Sequence, residues 1–230
     1  MINDKEENEI KYKVEYLGER YSKELISYKV IILGLFGVGK TSIISKLMNK
    51  NNGKEYSPTI SLDVLNFQIK INDKIIQINF WDTCGNDEFA LSTPNLFKNA
   101  AIAILVYAIN DQKSFNDLER WHNILLNNSY EHQIFLIGNK RDLKEERKIT
   151  IEQGENFKNS YDDIKIFFET SAENDENIDK LLENIAITIY EKNEKDEKEL
   201  ENAMKGNNNK PQILDKKNHK KNKKKKKCCY

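Results

Sequence analysis

The chain has 230 residues, 38% hydrophobic and 32% charged, with a formal net charge of zero. That suits one domain with tails, and the apolar share is low for a chain packed along its whole length. No apolar run reaches the ~18 residues of a membrane span, and MINDKEENEI lacks a secretory apolar core, so the first expectation excludes an integral membrane or secreted protein.

Residues 1–27 are highly charged, but Val14, Leu17, Tyr21 and Leu25 recur at helical spacing. They predict a helix in an N-terminal extension, docked on the body or awaiting a partner. Tyr28 to Leu33 is a β-branched run that predicts a buried strand, and it ends at Gly34. Gly34-Leu35-Phe36-Gly37-Val38-Gly39-Lys40-Thr41 then matches G-x-x-x-x-G-K-[ST], between that strand and a helix predicted over Thr41 to Met48. Backbone N–H groups of such a loop cradle phosphate oxygens, and the helix N-terminus adds positive partial charge. Lys40 would reach the β- and γ-phosphates, and the Thr41 hydroxyl would ligate Mg²⁺. The plain alternative is a glycine-rich turn that binds nothing.

Leu62 to Ile71 and Lys74 to Trp81 alternate apolar and polar residues around Asn72-Asp73, which predicts a hairpin. Asp82-Thr83-Cys84-Gly85 follows at the strand's end. Asp82 would hold Mg²⁺ through water, and the Gly85 N–H would approach the γ-phosphate. Taken alone, D-x-x-G is equally a bounded polar loop. Ala101 to Tyr107 predicts a buried strand within the ten-residue apolar run Ala100 to Ile109, and Ser114 to Leu126 predicts a helix. Ile134 to Ile137 predicts a strand leading to Asn139-Lys140-Arg141-Asp142. A carboxylate there can accept from guanine N1 and its 2-amino group, a donor pair that adenine lacks. Ile164 to Phe168 predicts a strand before Glu169-Thr170-Ser171-Ala172, whose backbone would close over guanine O6. Ile178, Leu181, Leu182, Ile185 and Ile189 share one helical face over Ile178 to Tyr190.

The remaining chain, 193–230, is rich in charge, Asn and Lys and predicts disorder, because it holds too little apolar surface to offset ordering entropy. Lys216 to Lys227 holds nine Lys and no acid, leaving 28 of the 37 basic groups against all 37 acidic ones elsewhere. An acidic body with a basic tail reads as an interaction tail. The cysteines are Cys84, Cys228 and Cys229, which make no disulfide framework and no zinc spacing and so suggest a reducing compartment. Strands alternating with helices around a phosphate loop predict an α/β fold of the P-loop NTPase type. This is a three-layer fold, a mostly parallel six-stranded sheet with helices on both faces. Residues 28–192 would form that domain.

The order of these motifs, with Thr59 between the first two, resembles that of Ras-like small GTPases, and the chain looks like their Rab branch. WDTCGNDEF (81–89) is similar to the Rab form WDTAGQERF, TISLDV (59–64) is a degraded TIGVDF, and ETSAEN (169–174) matches well. The resemblance implies a GTP/GDP switch with Mg²⁺ in vesicle traffic. It assigns nucleotide contacts to Gly34, Gly37, Val38, Gly39, Lys40, Thr41 and Ser42 in the phosphate loop. Further contacts fall on Thr59 and Gly85, and on Asn139, Lys140, Asp142, Ser171, Ala172 and Glu173 around the base. Thr41, Thr59 and Asp82 would serve the metal, and Asn86 with Lys40 the hydrolysis. Cys228-Cys229-Tyr230 resembles the Rab double-cysteine ending, in which both thiols are geranylgeranylated. A Lys-rich tail alone would instead suggest nucleic acid or a nuclear address. The terminal Cys pair on such a body turns the expectation to lipidation, with no nucleic acid. The implied partners are an exchange factor, a GTPase-activating protein, effectors and prenylation or extraction escorts. The implied place is the cytoplasmic face of an intracellular membrane, as a lipid-anchored monomer exchanging with cytosol.

Five positions depart from the family. Asn86 stands where its Gln orients the attacking water. Phe36 occupies a loop position that is usually small, where an arginine finger approaches. Asn52 lies where the family places an aromatic over the purine. Ser61 and Val64 replace the Gly and Phe of the Rab switch segment. An alternative reading is therefore a hydrolysis-impaired, GTP-loaded tether that recruits partners without efficient cycling. A phosphate-transferring kinase is the third reading, opposed by the guanine-specifying Asp142.

Overall fold

The computed structural model describes residues 12–18, 21–23, 25–48, 62–83, 95–128 and 132–206. The chain divides into two compact units, 1–192 and 193–230. In the first, one sheet of seven strands is ordered β1-β3-β4-β2-β5-β6-β7. The strands are β1 (Val14–Gly18), β2 (Ser27–Leu33), β3 (Asp63–Ile71), β4 (Lys74–Asp82), β5 (Ala100–Ala108), β6 (Gln133–Asn139) and β7 (Ile164–Glu169). From β4 through β7 every pairing is parallel, while β1–β3 and β3–β4 are antiparallel.

Period-2 alternation splits the core into two layers. Val30, Ile32, Ile104, Val106 and Ile137 face α1 (Lys40–Met48) and the start of α5 (Ile178–Gly206). Ile31, Leu33, Leu105, Tyr107 and Leu136 face α2 (Gln112–Asn116), α3 (Leu118–Asn128) and α4 (Ile151–Asn159). All nine residues of β5 are buried. A strand covered on both faces has no polar side to show, which is why its sequence reads as one apolar run. Each fully buried Ile or Leu contributes about 1.5–3 kcal/mol against exposure.

Seven strands replace the six expected, because part of the N-terminal extension is a strand and not a helix. Tyr12, Val14 and Tyr16 all pack on the core, and that spacing is two, not three or four. The edge of β3 offers unpaired backbone groups, and β1 pairs with Gln68 through Ile71. The Tyr16 hydroxyl donates to the Met48 carbonyl at 2.5 Å, and its ring lies 5.6 Å from that of Phe67. Tyr12 meets Tyr190 edge to face at 5.7 Å. Gly18, at φ 98, ends the strand.

Two further differences concern helices. The stretch expected to be one helix breaks at Asp117 into α2 and α3. α5 runs to Gly206, so 193–206 is helical where disorder was expected. The segment is rich in Glu and Lys, good helix formers, and Lys195 pairs with Glu199 one turn on at 3.9 Å. Residues 207–230 lie outside the described residues. Among the described residues no helix is long and apolar enough to cross a membrane.

Candidate nucleotide site

Every described site residue is carried at or just beyond the C-terminal end of a parallel strand, where open α/β sheets bind ligands. β2 delivers the phosphate loop. Gly34 has φ 143, and a Cβ there would run into the Val106 carbonyl oxygen of β5. Gly39 has φ 97, and a Cβ there would strike the Asn139 amide. The cradle therefore needs glycine at both positions, for backbone conformation and for close approach. Gly37 lies between them at φ 80, and Val38 is buried. Helix α1 begins at once, with the Ile43 N–H donating to the Gly39 carbonyl at 2.9 Å. Phe36 is 63% exposed at the loop's outer side.

Lys40 is almost fully buried, and its Nζ donates to the Gly34 and Leu35 carbonyls at 3.0 and 3.1 Å. The ammonium is thus held inside the loop that would take phosphate. Thr41 Oγ1 donates to Asp82 Oδ2 at 2.6 Å, joining the first turn of α1 to the end of β4. Ser42 is half-buried beside it. A hydroxyl and a carboxylate at this separation are hard oxygen donors. They fit Mg²⁺, which is typically held by one or two such protein groups together with phosphate oxygens. Among the described residues no group of three or more His, Cys, Asp or Glu is gathered as a separate metal site.

Asn139, at the end of β6, joins the glycine-rich loop after β2 to the segment that follows β7. Its Nδ2 donates to the Val38 carbonyl at 2.9 Å. Its Oδ1 accepts from Thr170 Oγ1 at 3.2 Å and from the Ala172 N–H at 3.3 Å. Lys140 follows at φ 65, turning the chain so that its carbonyl accepts from the Leu143 N–H at 2.9 Å. Asp142 is half-buried, and its Oδ1 accepts from Ser171 Oγ at 2.5 Å. Ser171 Oγ also accepts from the Asn174 N–H at 3.0 Å, which curls the turn 171–176 and leaves Glu173 exposed. Asp142 and Ser171 are 29 positions apart in sequence and hydrogen-bonded in space.

Thr59, Gly85, Asn86, Asn52 and Ser61, expected near the γ-phosphate, the base or the switch surface, lie outside the described residues, as do Cys228 and Cys229. Val64 is exposed on β3. The sequence pattern missed some supporting side chains. Thr83 Oγ1 donates to the Ile32 carbonyl at 2.9 Å, fastening the end of β4 to β2. Arg147 and Asn177 both bind Glu169. Thr83 lies inside a motif and was open to notice, whereas Arg147 and Asn177 stand apart from any spacing rule.

The Ras family model matches residues 29–191. The chain is 35% identical over 167 residues to the "Ras-related protein Rab-11B" of Dictyostelium discoideum, covering 70% of this chain and 73% of that protein. It is 33% identical over 175 residues to the "Ypt/Rab-type GTPase ypt7" of Schizosaccharomyces pombe, covering 74% and 85%.

Proposed function

The chain belongs to the Ras superfamily and within it to the Rab family of small GTPases, and from that premise we propose that it is a lipid-anchored guanine-nucleotide switch of vesicle transport. The observation that carries the reading is Asn139, which bonds the phosphate loop through Val38 and the base loops through Thr170 and Ala172. One side chain thus couples the two halves of a nucleotide pocket.

In this reading the backbone of 34–41 cradles the phosphates, and Lys40 compensates their charge. Thr41 and Asp82 hold Mg²⁺, with Thr59 completing the set. Bound there, the ion neutralises charge on the phosphate oxygens. Asp142 reads the purine edge, while Ser171 and Ala172 close over it. Thr59 and Gly85 sense the γ-phosphate and pass its loss to the surface that effectors, exchange factor and activating protein read. Cys228 and Cys229 take the lipid chains, delivered by escort proteins, and residues 28–192 act as the switch domain.

Hydrolysis is slow in this proposal. Asn86 is one methylene shorter than the family's Gln, and a misplacement of ~1 Å can cost about a hundredfold. The exposure of Phe36 at the loop supports a second obstacle, to an incoming arginine. The same two residues support the tether reading. Nucleotide extracted from the purified protein separates the two: bound GDP fits a cycling switch, bound GTP a tether, and adenine nucleotide contradicts both. Single-turnover hydrolysis then tests the rate. Asn86→Gln should raise the intrinsic rate, and adding Phe36→Gly should restore stimulation by an activating domain. A wild-type rate equal to that of Asn86→Gln would end the argument for a slow switch.

A further inference from the structure

Glu169 is the last residue of β7, and its side chain is 4% exposed. A buried carboxylate demands partners, and it has them from two directions. Arg147 donates through both terminal nitrogens, one to Oε1 at 2.6 Å and the other to Oε2 at 2.7 Å. Arg147 also donates to the Ile149 carbonyl at 2.8 Å. The Arg141 Nε lies 3.8 Å from Glu169 Oε2, while its terminal nitrogen pairs with Glu176. The Glu169 carbonyl accepts from Asn177 Nδ2 at 2.7 Å.

One side chain therefore ties two segments together. The first, 139–147, carries Asp142 and is held at both Arg141 and Arg147. The second, 169–177, carries Ser171. Between them run the contacts that align the base-reading groups, including the Arg141 N–H to the Thr170 carbonyl at 3.0 Å and Ser171 Oγ to Asp142 at 2.5 Å. Gly138 makes room: a Cβ there would lie 3.2 Å from Glu169 Cγ and closer still to the Tyr107 hydroxyl. That hydroxyl is buried, and burial followed by the Glu169 charge raises its pKa well above the usual phenol range.

A buried ion pair is a poor source of net stability, because desolvation offsets most of the Coulomb gain. What a bidentate guanidinium–carboxylate fork supplies is fixed distance and fixed angle. We propose that Arg147 and Glu169 are positioning residues for purine selection: their fork sets the spacing between the Asp142 loop and the Ser171 turn, and with it the preference for a base bearing a 2-amino group. The inference deepens the guanine reading of Asp142 and rests on it.

The test uses the full chain and the equilibrium affinities of GDP and IDP, since hypoxanthine differs from guanine only by lacking the 2-amino group. Wild type should prefer GDP. Arg147→Lys keeps the charge but not the fork, and should lower the GDP/IDP ratio by about tenfold, chiefly by weakening GDP. Arg147→Met should lower it at least as far, and Glu169→Gln, which keeps shape and one acceptor, should lie between. Should Arg147→Met fail to fold, Arg147→Lys reads the same ratio. Folded variants that weaken GDP and IDP equally would overturn the proposal, since a merely structural pair does that. A wild type with no preference for GDP over IDP would instead contradict the guanine reading itself, before any variant is compared.

Discussion

Lys29 carries its charge where burial disfavours it. Its Nζ lies 3.5 Å from the Trp81 ring centroid and donates to the Asn95 carbonyl at 2.5 Å, and burial lowers its pKa to about 8. Below about pH 8 the folded and unfolded chains both hold the proton, so the desolvation cost is full. Between about 8 and 10.5 the folded chain has shed it and the unfolded chain has not, so stability rises with pH through that window. Tyr107 and Tyr161, both shifted upward, act the opposite way at the alkaline end. Comparison with Lys29→Met isolates the lysine. Thermal midpoints from pH 7 to 9.5 should show wild type gaining on the variant, and parallel curves would contradict the assignment. Asp142→Ala should lose the preference for guanine over adenine nucleotides, and a variant that still rejects ATP would remove Asp142 from that role. The glycines at 34 and 39 were legible because close backbone approach ties residue type to position, and the roles proposed for Lys40 and Asp142 were read from the phosphate charge and the donor pair they would meet. Arg147 was not legible, because its pairing with Glu169 arises only when two loops distant in sequence meet.

At the scale of elements, strands covered on both faces announced themselves as short apolar runs, and β2, β5, β6 and β7 lie where that pattern placed them. The failures have local causes. Tyr12, Val14 and Tyr16 fit a period of two as readily as Val14, Leu17, Tyr21 and Leu25 fit a helix, and only the open edge of β3 decides between them. Tyr16→Phe should cost about 1 kcal/mol in urea unfolding through the lost bond to Met48. Tyr16→Ala should cost more, through packing against Phe67. An unchanged midpoint for both would show that β1 adds nothing. Helix α4 was missed because its pattern is weak. Gly154 interrupts it, since a Cβ there would strike the Phe167 ring, and Ile151 faces solvent. Its start is nonetheless marked by a reciprocal cap, Gln153 N–H to Thr150 Oγ1 and Thr150 N–H to Gln153 Oε1. Thr150→Ala should cost about 1 kcal/mol by the same measurement.

Across the whole molecule, the proposed function would divide the work of reaching a membrane between charge and lipid. Nine Lys lie within Lys216 to Lys227, immediately before Cys228 and Cys229, while the rest of the chain is net acidic. Each Lys near an anionic leaflet contributes about 1 kcal/mol at most, and salt screens it. Each prenyl chain buries many CH₂ groups at about 0.8 kcal/mol apiece, and two chains convert marginal binding into stable anchoring. The acidic remainder would be repelled by the same leaflet, so in the proposed reading the Lys block compensates the body's charge more than it anchors the protein. Two variants should therefore behave differently. Cys228→Ser with Cys229→Ser should move the protein to the soluble fraction even with every Lys intact. A tail with its Lys changed to Gln and both Cys retained should stay on membranes with altered distribution. A basic segment acting through nucleic acid would reverse that ranking, because binding by counterion release follows the Lys and ignores the thiols. Fractionation at low and at 0.5 M salt tells these apart: lipid anchoring survives the salt, and full retention of the double-Ser variant on membranes would remove Cys228 and Cys229 as the anchor.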